Sequence, residues 1–246
     1  MEDSATVPDV SVVWATLNEA ANLPTLVARL RAIGLPGLEV IIVDDGSADG
    51  TREYVRALEF EDHRFRLLTH DGKQTTVRAQ VQAIAVARGR YVVIMDADLQ
   101  HPPELVPRLL ERLDRGDLVA IASRYTKGGS PGPRNGIRAL ISRGAEWLAR
   151  RFAPNARFVT DPVSGYFAFR REIFRPIDPR YRGYKLLLFV LAMLPDRRVS
   201  EVAFQFAPRL QGKSKLTENS QFFRLFLIEL LLVRRTHRAI RRGSRA

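Results

Sequence analysis

Through the first half of the chain, short apolar runs alternate with longer stretches in which apolar residues recur at helical spacing. The pattern predicts strands over 9–16, 39–44, 65–69, 91–95 and 118–123, and helices over 23–33, 50–58, 75–87 and 103–113. Strands and helices in regular alternation are what parallel strands joined by crossover helices require, so the expected fold class is α/β with a mostly parallel central sheet flanked by helices. Pro102-Pro103 suits the opening of the fourth helix, because a residue in the first turn has no intrahelical partner for its N–H. Strand ends are therefore expected near Asp44 and Asp96.

The second half reads differently. Residues 125–135 (Tyr-Thr-Lys-Gly-Gly-Ser-Pro-Gly-Pro-Arg-Asn) are too polar and too broken for core, which predicts a long mobile loop of the kind used as a lid or a linker. A basic amphipathic helix is expected over 136–152, followed by a mixed region to residue 206. Two apolar stretches, 186–194 and 222–233, are shorter than the roughly 20 residues a spanning helix needs, and Arg224 and Glu229 interrupt the second. Arg234, Arg235, Arg238, Arg241, Arg242 and Arg245 follow it directly. An apolar helix with a basic tail can lie on an anionic membrane, pack against a partner helix, or be a core helix with a solvated tail.

Composition narrows the classes. The chain of 246 residues, 46% hydrophobic, suffices for one substantial domain and excludes a long disordered protein. With no cysteine there is no disulfide framework, thiolate nucleophile or cysteine-ligated metal. The start, Met1-Glu2-Asp3-Ser4, is acidic and unlike a secretory signal, so synthesis for the cytoplasm is expected. A net charge of +12 predicts attraction to something anionic, and nucleic acid, an acidic membrane or a phosphorylated substrate would each serve. Of the 39 basic residues only Lys73, Lys127, Lys185, Lys213 and Lys215 are lysine; the bias to arginine fits either a GC-rich genome or a use for forked phosphate donors.

Acidic residues nevertheless stand at successive predicted strand ends, which a nucleic-acid groove would avoid. Asp96-Ala97-Asp98-Leu99-Gln100 follows a buried-looking strand; in an extended chain alternate side chains share a face, so Asp96, Asp98 and Gln100 could converge on one point. Oxygen ligands of this kind suit Mg²⁺ or Mn²⁺, and open α/β sheets bind ligands at the carboxyl ends of their strands. Asp44-Asp45-Gly46-Ser47 ends another strand. There Asp45 could accept hydrogen bonds from a base or ribose, or the segment could be a plain turn with Asp49 capping the next helix. Glu19 stands at a third strand end.

Residues 13–23 (Val-Trp-Ala-Thr-Leu-Asn-Glu-Ala-Ala-Asn-Leu), Val43-Asp44-Asp45-Gly46-Ser47 with Asp49-Gly50-Thr51, and the string from Asp96 to Glu104 resemble the signatures of family 2 glycosyltransferases with the GT-A, Rossmann-like fold. Asp-Ala-Asp-Leu-Gln-His-Pro-Pro is most similar to polyprenyl-phosphate sugar synthases, the dolichyl-phosphate mannosyltransferases in particular. The resemblance continues through Ser123-Arg124-Tyr125, residues 161–167, Gly183-Tyr184-Lys185 and residues 211–215, and so spans nearly the whole chain.

The resemblance implies a GT-A catalytic domain over 1–215 and, over 216–246, a C-terminal amphipathic helix and basic tail at a membrane surface. It implies a nucleotide pocket of Ala15, Leu17, Glu19, Val43, Asp45, Lys73, Asp96 and Ala97, with Asp96, Asp98 and Gln100 around Mg²⁺ or Mn²⁺. Arg124, Arg138, Ser142, Arg209 and Lys215 would hold the acceptor phosphate, and Asp98, Arg124 and Arg209 would carry catalysis. Arg138 and Ser142, four apart on a predicted helix, share a face, and the arginine fork suits phosphate oxygens. The implied reaction is inverting transfer of mannose from GDP-mannose to a polyprenyl or dolichyl phosphate. A lipid phosphate is already ionised at neutral pH, so it attacks without a general base; of His63, His70, His101 and His237 only His101 lies in a motif. The enzyme would be peripheral on the cytoplasmic face, with no spanning helix, no nucleic-acid partner and room for a separate membrane-protein partner. Ala15 and Leu17 stand where the family usually has proline and tyrosine, Gln74 where it has a small residue, and Phe189 where an acid is frequent. These departures bear on the donor and keep open UDP-glucose, or another nucleotide-sugar, with a different lipid or saccharide acceptor.

Overall fold

The strands are β1 (Val10–Thr16), β2 (Leu38–Asp44), β3 (Phe65–Thr69), β4 (Tyr91–Ile94), β5 (Val119–Ser123), β6 (Phe167–Arg170) and β7 (Val199–Ala203). They form one sheet in the order β3-β2-β1-β4-β6-β5-β7. All neighbours are parallel except β6, which runs antiparallel to both β4 and β5. The helices are α1 (Leu23–Ile33), α2 (Thr51–Glu61), α3 (Thr76–Val86), α4 (Val106–Asp114), α5 (Gly136–Phe152), α6 (Leu186–Met193) and α7 (Gln221–Gly243). This computed structural model describes residues 8–70, 74–132, 136–177, 183, 185–206 and 221–243, with the backbone alone for 136–141, 221–223 and 243.

The alternation of side chains along each strand builds two cores. Val13, Ile41, Val43, Val92 and Ile94 face a layer made by α3, α5, α6 and α7, while Val12, Trp14, Val40, Ile42 and Val93 face α1, α2 and α4. Both faces of β1 and β2 are covered, which is why they read as unbroken apolar runs rather than as alternating ones. The helix α1 follows from Leu23, Leu26, Val27 and Leu30 at three- and four-residue spacing, and it ends where Gly34 turns left-handed at φ 66°.

Most expected elements are present within a residue or three of their predicted bounds; the helix expected over 103–113 opens with a 3-10 turn, Pro103–Leu105. Two strands were not expected. β6 has only four residues, and in β7 Ser200 and Glu201 stand side by side and break the alternation, too little pattern in either case to stand out. The loop expected over 125–135 also needs correction, because its first eight residues are pinned. Ser130 N–H donates to Phe204 O (3.0 Å), Phe206 N–H donates to Ser130 O (2.9 Å), and Ser130 bridges to Gln205. Gly129 and Gly132 allow this approach: a Cβ on Gly129 would lie 2.6 Å from Ser123 O, and one on Gly132, at φ +71°, 2.8 Å from Phe206 O. Residues 133–135 lie outside the described residues.

All eight residues of α6 are buried, so the first apolar stretch is a core helix. α7 turns Phe226, Leu230 and Val233 into the same core and leaves Leu227, Ile228 and Leu231 exposed. Glu229, in the middle of that helix, is 1% exposed, and its carboxylate accepts the Lys185 N–H at 2.7 Å. Among the described residues no helix is long and apolar enough to cross a membrane.

Candidate active site at the carboxyl edge of the sheet

The ends of β1 and β2 are stitched together. Asp45 N–H donates to Thr16 O (2.9 Å), Asn18 N–H to Ser47 Oγ (2.8 Å), Ala48 N–H to Asn18 Oδ1 (2.9 Å) and Glu19 N–H to Thr51 Oγ1 (2.8 Å). Asp49 binds both loops, taking Ala20 N–H on one oxygen and Thr51 N–H and Oγ1–H on the other. In the plain-turn alternative Asp49 caps α2; the cap position is instead Gly50, without a side-chain cap, and Asp49 reaches only the first helical N–H, that of Thr51. The neighbouring acids play different parts. Asp44 is fully buried and takes Arg52 Nε and Nη2 at 3.1 and 2.9 Å, a structural ion pair. Asp45 turns outward, accepting Gln74 N–H at 2.7 Å with His70 Nε2 3.4 Å away. Glu19 accepts Asn22 Nδ2–H at 2.7 Å.

Beyond β4 the extended geometry stops at Ile94, and residues 97–101 bend. Leu99 adopts φ +63°, uncommon for a residue with a branched side chain, and Asp98 Oδ1 accepts Gln100 N–H at 3.2 Å. Strand alternation therefore does not bring Asp96, Asp98 and Gln100 together; a tight turn does the placing, and it separates the two acids in environment. The Asp96 side chain is 48% exposed, whereas Asp98 is buried. Val43 and Ala97, expected in the nucleotide pocket, have core side chains and can offer a ligand only main-chain atoms, whereas Ala15 and Leu17 are partly exposed.

Asp96 N–H donates to Nδ1 of His101 at 2.9 Å. The ring is 3% exposed, stacked on Tyr166 (centroids 5.0 Å apart) and met edge-on by Phe204 and Phe206. Tyr166 is itself fixed by its hydroxyl to Pro102 O at 2.8 Å. Since Nδ1 accepts, the proton of the neutral imidazole is on Nε2. Burial pushes the His101 pKa down to about 4; after burial the charges that act on it are Asp98, Arg124, Lys185 and Asp161. Those four come from the β4 turn, the end of β5, the start of α6 and the approach to β6, so charges from four separate segments act on one buried ring.

Arg124, at the end of β5, is gripped by the fully buried Asp161: its own N–H, Nε and Nη2 donate at 3.1, 2.7 and 2.7 Å. Burial works against its charge, but the Asp161 fork outweighs it and holds the guanidinium above its ordinary pKa. The group also lies 5.3 Å from the Tyr125 ring centre and 5.9 Å from that of Phe206. Ser142, on α5, donates to Glu146 at 3.1 Å and lies 3.4 Å from the Tyr125 hydroxyl, which brings it to the Arg124 side of the site. Arg138 is one turn earlier on α5, where only the backbone is described; Lys73, Arg209 and Lys215 lie outside the described residues. Two acids of the site have no role that the sequence suggests. Asp161 falls in a segment that resembles the family but carries no ligand pattern of its own, and Glu201, which holds the Thr160–Asp161 turn, is a single acid in a short mixed strand and gives no signal.

Among the described residues no three His, Cys, Asp or Glu side chains converge as a metal-binding set. That is compatible with Mg²⁺ or Mn²⁺, which take one or two carboxylates and complete their shell with waters and substrate phosphates. The Asp96 side chain offers hard carboxylate oxygens at the solvent side and the buried Asp98 follows two residues on, a donor set of the chemical kind such an ion takes.

Fold and site together define the class first. A sheet of this order, with acids at the carboxyl ends of its parallel strands, is that of the GT-A glycosyltransferases. Glucosyl-3-phosphoglycerate synthase from Mycobacterium tuberculosis, solved with Mn²⁺, UDP-glucose and phosphoglyceric acid, superposes with a TM-score of 0.68 at 22% identity, over 91% of this chain and 79% of that one. The same enzyme solved with Mg²⁺ and UDP superposes equally well, over 92% and 79%. The chain itself belongs to glycosyl transferase family 2, which matches residues 11–178. It is 38% identical over 215 residues to the dolichol-phosphate mannosyltransferase of Pyrococcus furiosus, covering 87% of this chain and 60% of that protein's length. The enzyme of the same name from Saccharomyces cerevisiae is 35% identical, covering 85% and 81%, and the polyprenol monophosphomannose synthase of Mycolicibacterium smegmatis 33%, covering 88% and 85%.

Proposed function

We propose that the protein transfers mannose from GDP-mannose to a polyprenyl or dolichyl phosphate, with inversion at the anomeric carbon. The carrying observation is a run of contacts along one edge of the sheet: Asp96 N–H binds His101 at 2.9 Å, the His101 ring meets Phe206 at 5.7 Å, and the Arg124 guanidinium lies 5.9 Å from that same Phe206 ring, so carboxylates fit for a metal-bound diphosphate and a guanidinium fit for a phosphate are close together. The names of the three relatives support the same substrates. Asp45 and Glu19 would accept hydrogen bonds from the nucleoside, and Asp96 and Asp98, with Gln100, would hold the metal. A bound Mg²⁺ or Mn²⁺ supplies Lewis-acid neutralisation of the leaving diphosphate. Arg124, with Arg138, Ser142, Arg209 and Lys215, would align the lipid phosphate; its oxygen is already anionic, so the protein contributes positioning and electrostatics rather than proton removal.

The acceptor is a lipid, and the α3/α5/α6/α7 face is the one suited to its membrane. Trp147 on α5 is 64% exposed and Leu231 on α7 62%, with Ile228 and Leu227 beside the latter and Arg143, Arg150, Arg224, Arg234 and Arg235 exposed around them. Apolar residues rimmed by arginines are what a helix lying in an anionic interface presents. In this reading 216–246 is a membrane-surface element attached to the catalytic domain, on the cytoplasmic leaflet.

The test is transfer of labelled sugar to dolichyl phosphate in detergent with Mn²⁺, comparing GDP-mannose with UDP-glucose and lipid phosphate with a saccharide acceptor. Labelled lipid from GDP-mannose alone is expected. Transfer from UDP-glucose, or to the saccharide in preference to the lipid, would overturn the assignment.

A further inference from the structure

Behind Arg124 lies a chain of hydrogen bonds whose direction is set at its far end. Glu201, half-buried on β7, accepts Thr160 N–H (2.9 Å to each carboxylate oxygen), Thr160 Oγ1–H (2.7 Å) and Asp161 N–H (3.0 Å). An ionised carboxylate only accepts, so the Thr160 hydroxyl must point its proton at Glu201. Its oxygen, 2.8 Å from Ser123 Oγ, must then receive the Ser123 proton. That leaves the Ser123 oxygen to accept the N–H groups of Tyr125 (3.3 Å) and Thr126 (3.2 Å), the two residues that follow Arg124.

The same carboxylate thus orients both sides of Arg124. Through two consecutive amides it turns Asp161 up to fork the guanidinium, and through Thr160 and Ser123 it fixes the main chain from which Arg124 projects. We propose that Glu201 is a positioning residue for Arg124: it sets the plane of the guanidinium toward the acceptor phosphate without touching substrate. The inference rests on the role given to Arg124 above. It also explains the chemistry of the choice, since the Arg124 charge is already matched by Asp161 and a second acid sits behind it. Arg124 therefore contributes a fixed fork more than an excess of positive charge, and a fork is worth only as much as its aim.

Glu201→Gln keeps the shape but introduces a donor into a site of donors, so the order of the chain is lost. Acceptor kcat/KM should fall on the order of 10- to 100-fold, the scale of a small misplacement of a catalytic group, while Mn²⁺-dependent GDP affinity changes by less than about twofold. Thr160→Val, which removes the hydroxyl relay alone, should give a smaller loss of the same kind and serves in place of the first variant if that one does not fold. The deciding measurement is the cycle with Arg124→Lys. If Glu201 acts through Arg124, adding Glu201→Gln or Thr160→Val to Arg124→Lys costs little further, whereas independent structural damage makes the losses multiply. Multiplying losses, or equal losses in donor and acceptor terms, overturn the inference while leaving the proposed reaction intact. A wild-type protein that moves no mannose to lipid phosphate overturns the reaction itself, and the inference with it.

Discussion

His101 gives a test of the site that requires no substrate. Nδ1 takes the Asp96 N–H at 2.9 Å and the ring is buried among Tyr166, Phe204 and Phe206. A proton on Nδ1 would face that N–H, so the native state holds the neutral form, with a pKa pushed down by burial from the ordinary 6.5 to about 4. The unfolded chain binds the proton first, so the contribution is complete above pH 6.5 and is lost as the pH falls toward 4. The drop from 6.5 to about 4 corresponds to roughly 3 kcal/mol over that interval. His101→Phe keeps the ring and removes the acceptor. At pH 7 it should cost about 1–3 kcal/mol, the penalty of an orphaned amide, and it removes the titration. Urea unfolding of metal-free protein in EDTA, followed by tryptophan fluorescence, should therefore show a deficit at pH 7 that closes or reverses near pH 4. An equal deficit at both pH values would refute the account of His101 as a neutral acceptor.

Three further outcomes are expected. Asp98→Ala should abolish both transfer and the thermal stabilisation of the protein by Mn²⁺ with GDP, and wild type in excess EDTA should match it; full turnover in EDTA would remove the metal from the proposal. Ile228→Glu with Leu231→Glu should cut sedimentation with anionic vesicles by more than about tenfold, because each apolar side chain withdrawn from lipid is worth about 1.5–3 kcal/mol, and activity on a detergent-dispersed acceptor should change far less. Glu39→Gln should destabilise by about 1–3 kcal/mol. Burial opposes ionisation of Glu39, but hydrogen bonds from Ser11 and Arg88 hold its pKa below the usual range. Its contribution is therefore present at neutral pH and lost on acidification, and chemical denaturation at pH 7 and at pH 4 should show the wild-type advantage shrinking.

What the sequence disclosed and what it hid divide along a physical line. Period-two and 3.6-residue patterns are local, so β1 to β5, α1 to α5 and the acidic strand ends at Asp44 and after β4 were all legible. β6 was not, because four residues carry too little alternation and its antiparallel entry between β4 and β5 is a tertiary fact. Nor were the pairings that give each acid its part, since Arg52 with Asp44 and Arg124 with Asp161 join residues by space, the latter across 37 positions. The extrapolation of strand alternation past Ile94 failed for a related reason. The left-handed Leu99 reshapes the turn, and nothing in the residue type announces it.

The same sorting resolves the net charge. On the α1, α2 and α4 side of the sheet several arginines are paired in place, Arg29 with Glu104 and Arg115 with Glu111, while Arg31 and Arg64 share Asp62. Helices α5 and α7 carry ten arginines against two glutamates, and of those Glu229 is buried and Glu146 accepts from Ser142. Ten arginines less two glutamates is +8 of the net +12, so most of the excess is carried by these two helices, which also expose Trp147 and Leu231. Attraction between exposed arginines and an anionic surface is screened over about 8–10 Å at ordinary salt, whereas a metal-bound nucleotide at the buried Asp98, as proposed, would be screened far less. Raising the salt should accordingly release the protein from anionic vesicles at concentrations that leave Mn²⁺-dependent GDP affinity nearly unchanged. Parallel loss of both would mean that the basic face serves the nucleotide and not the membrane.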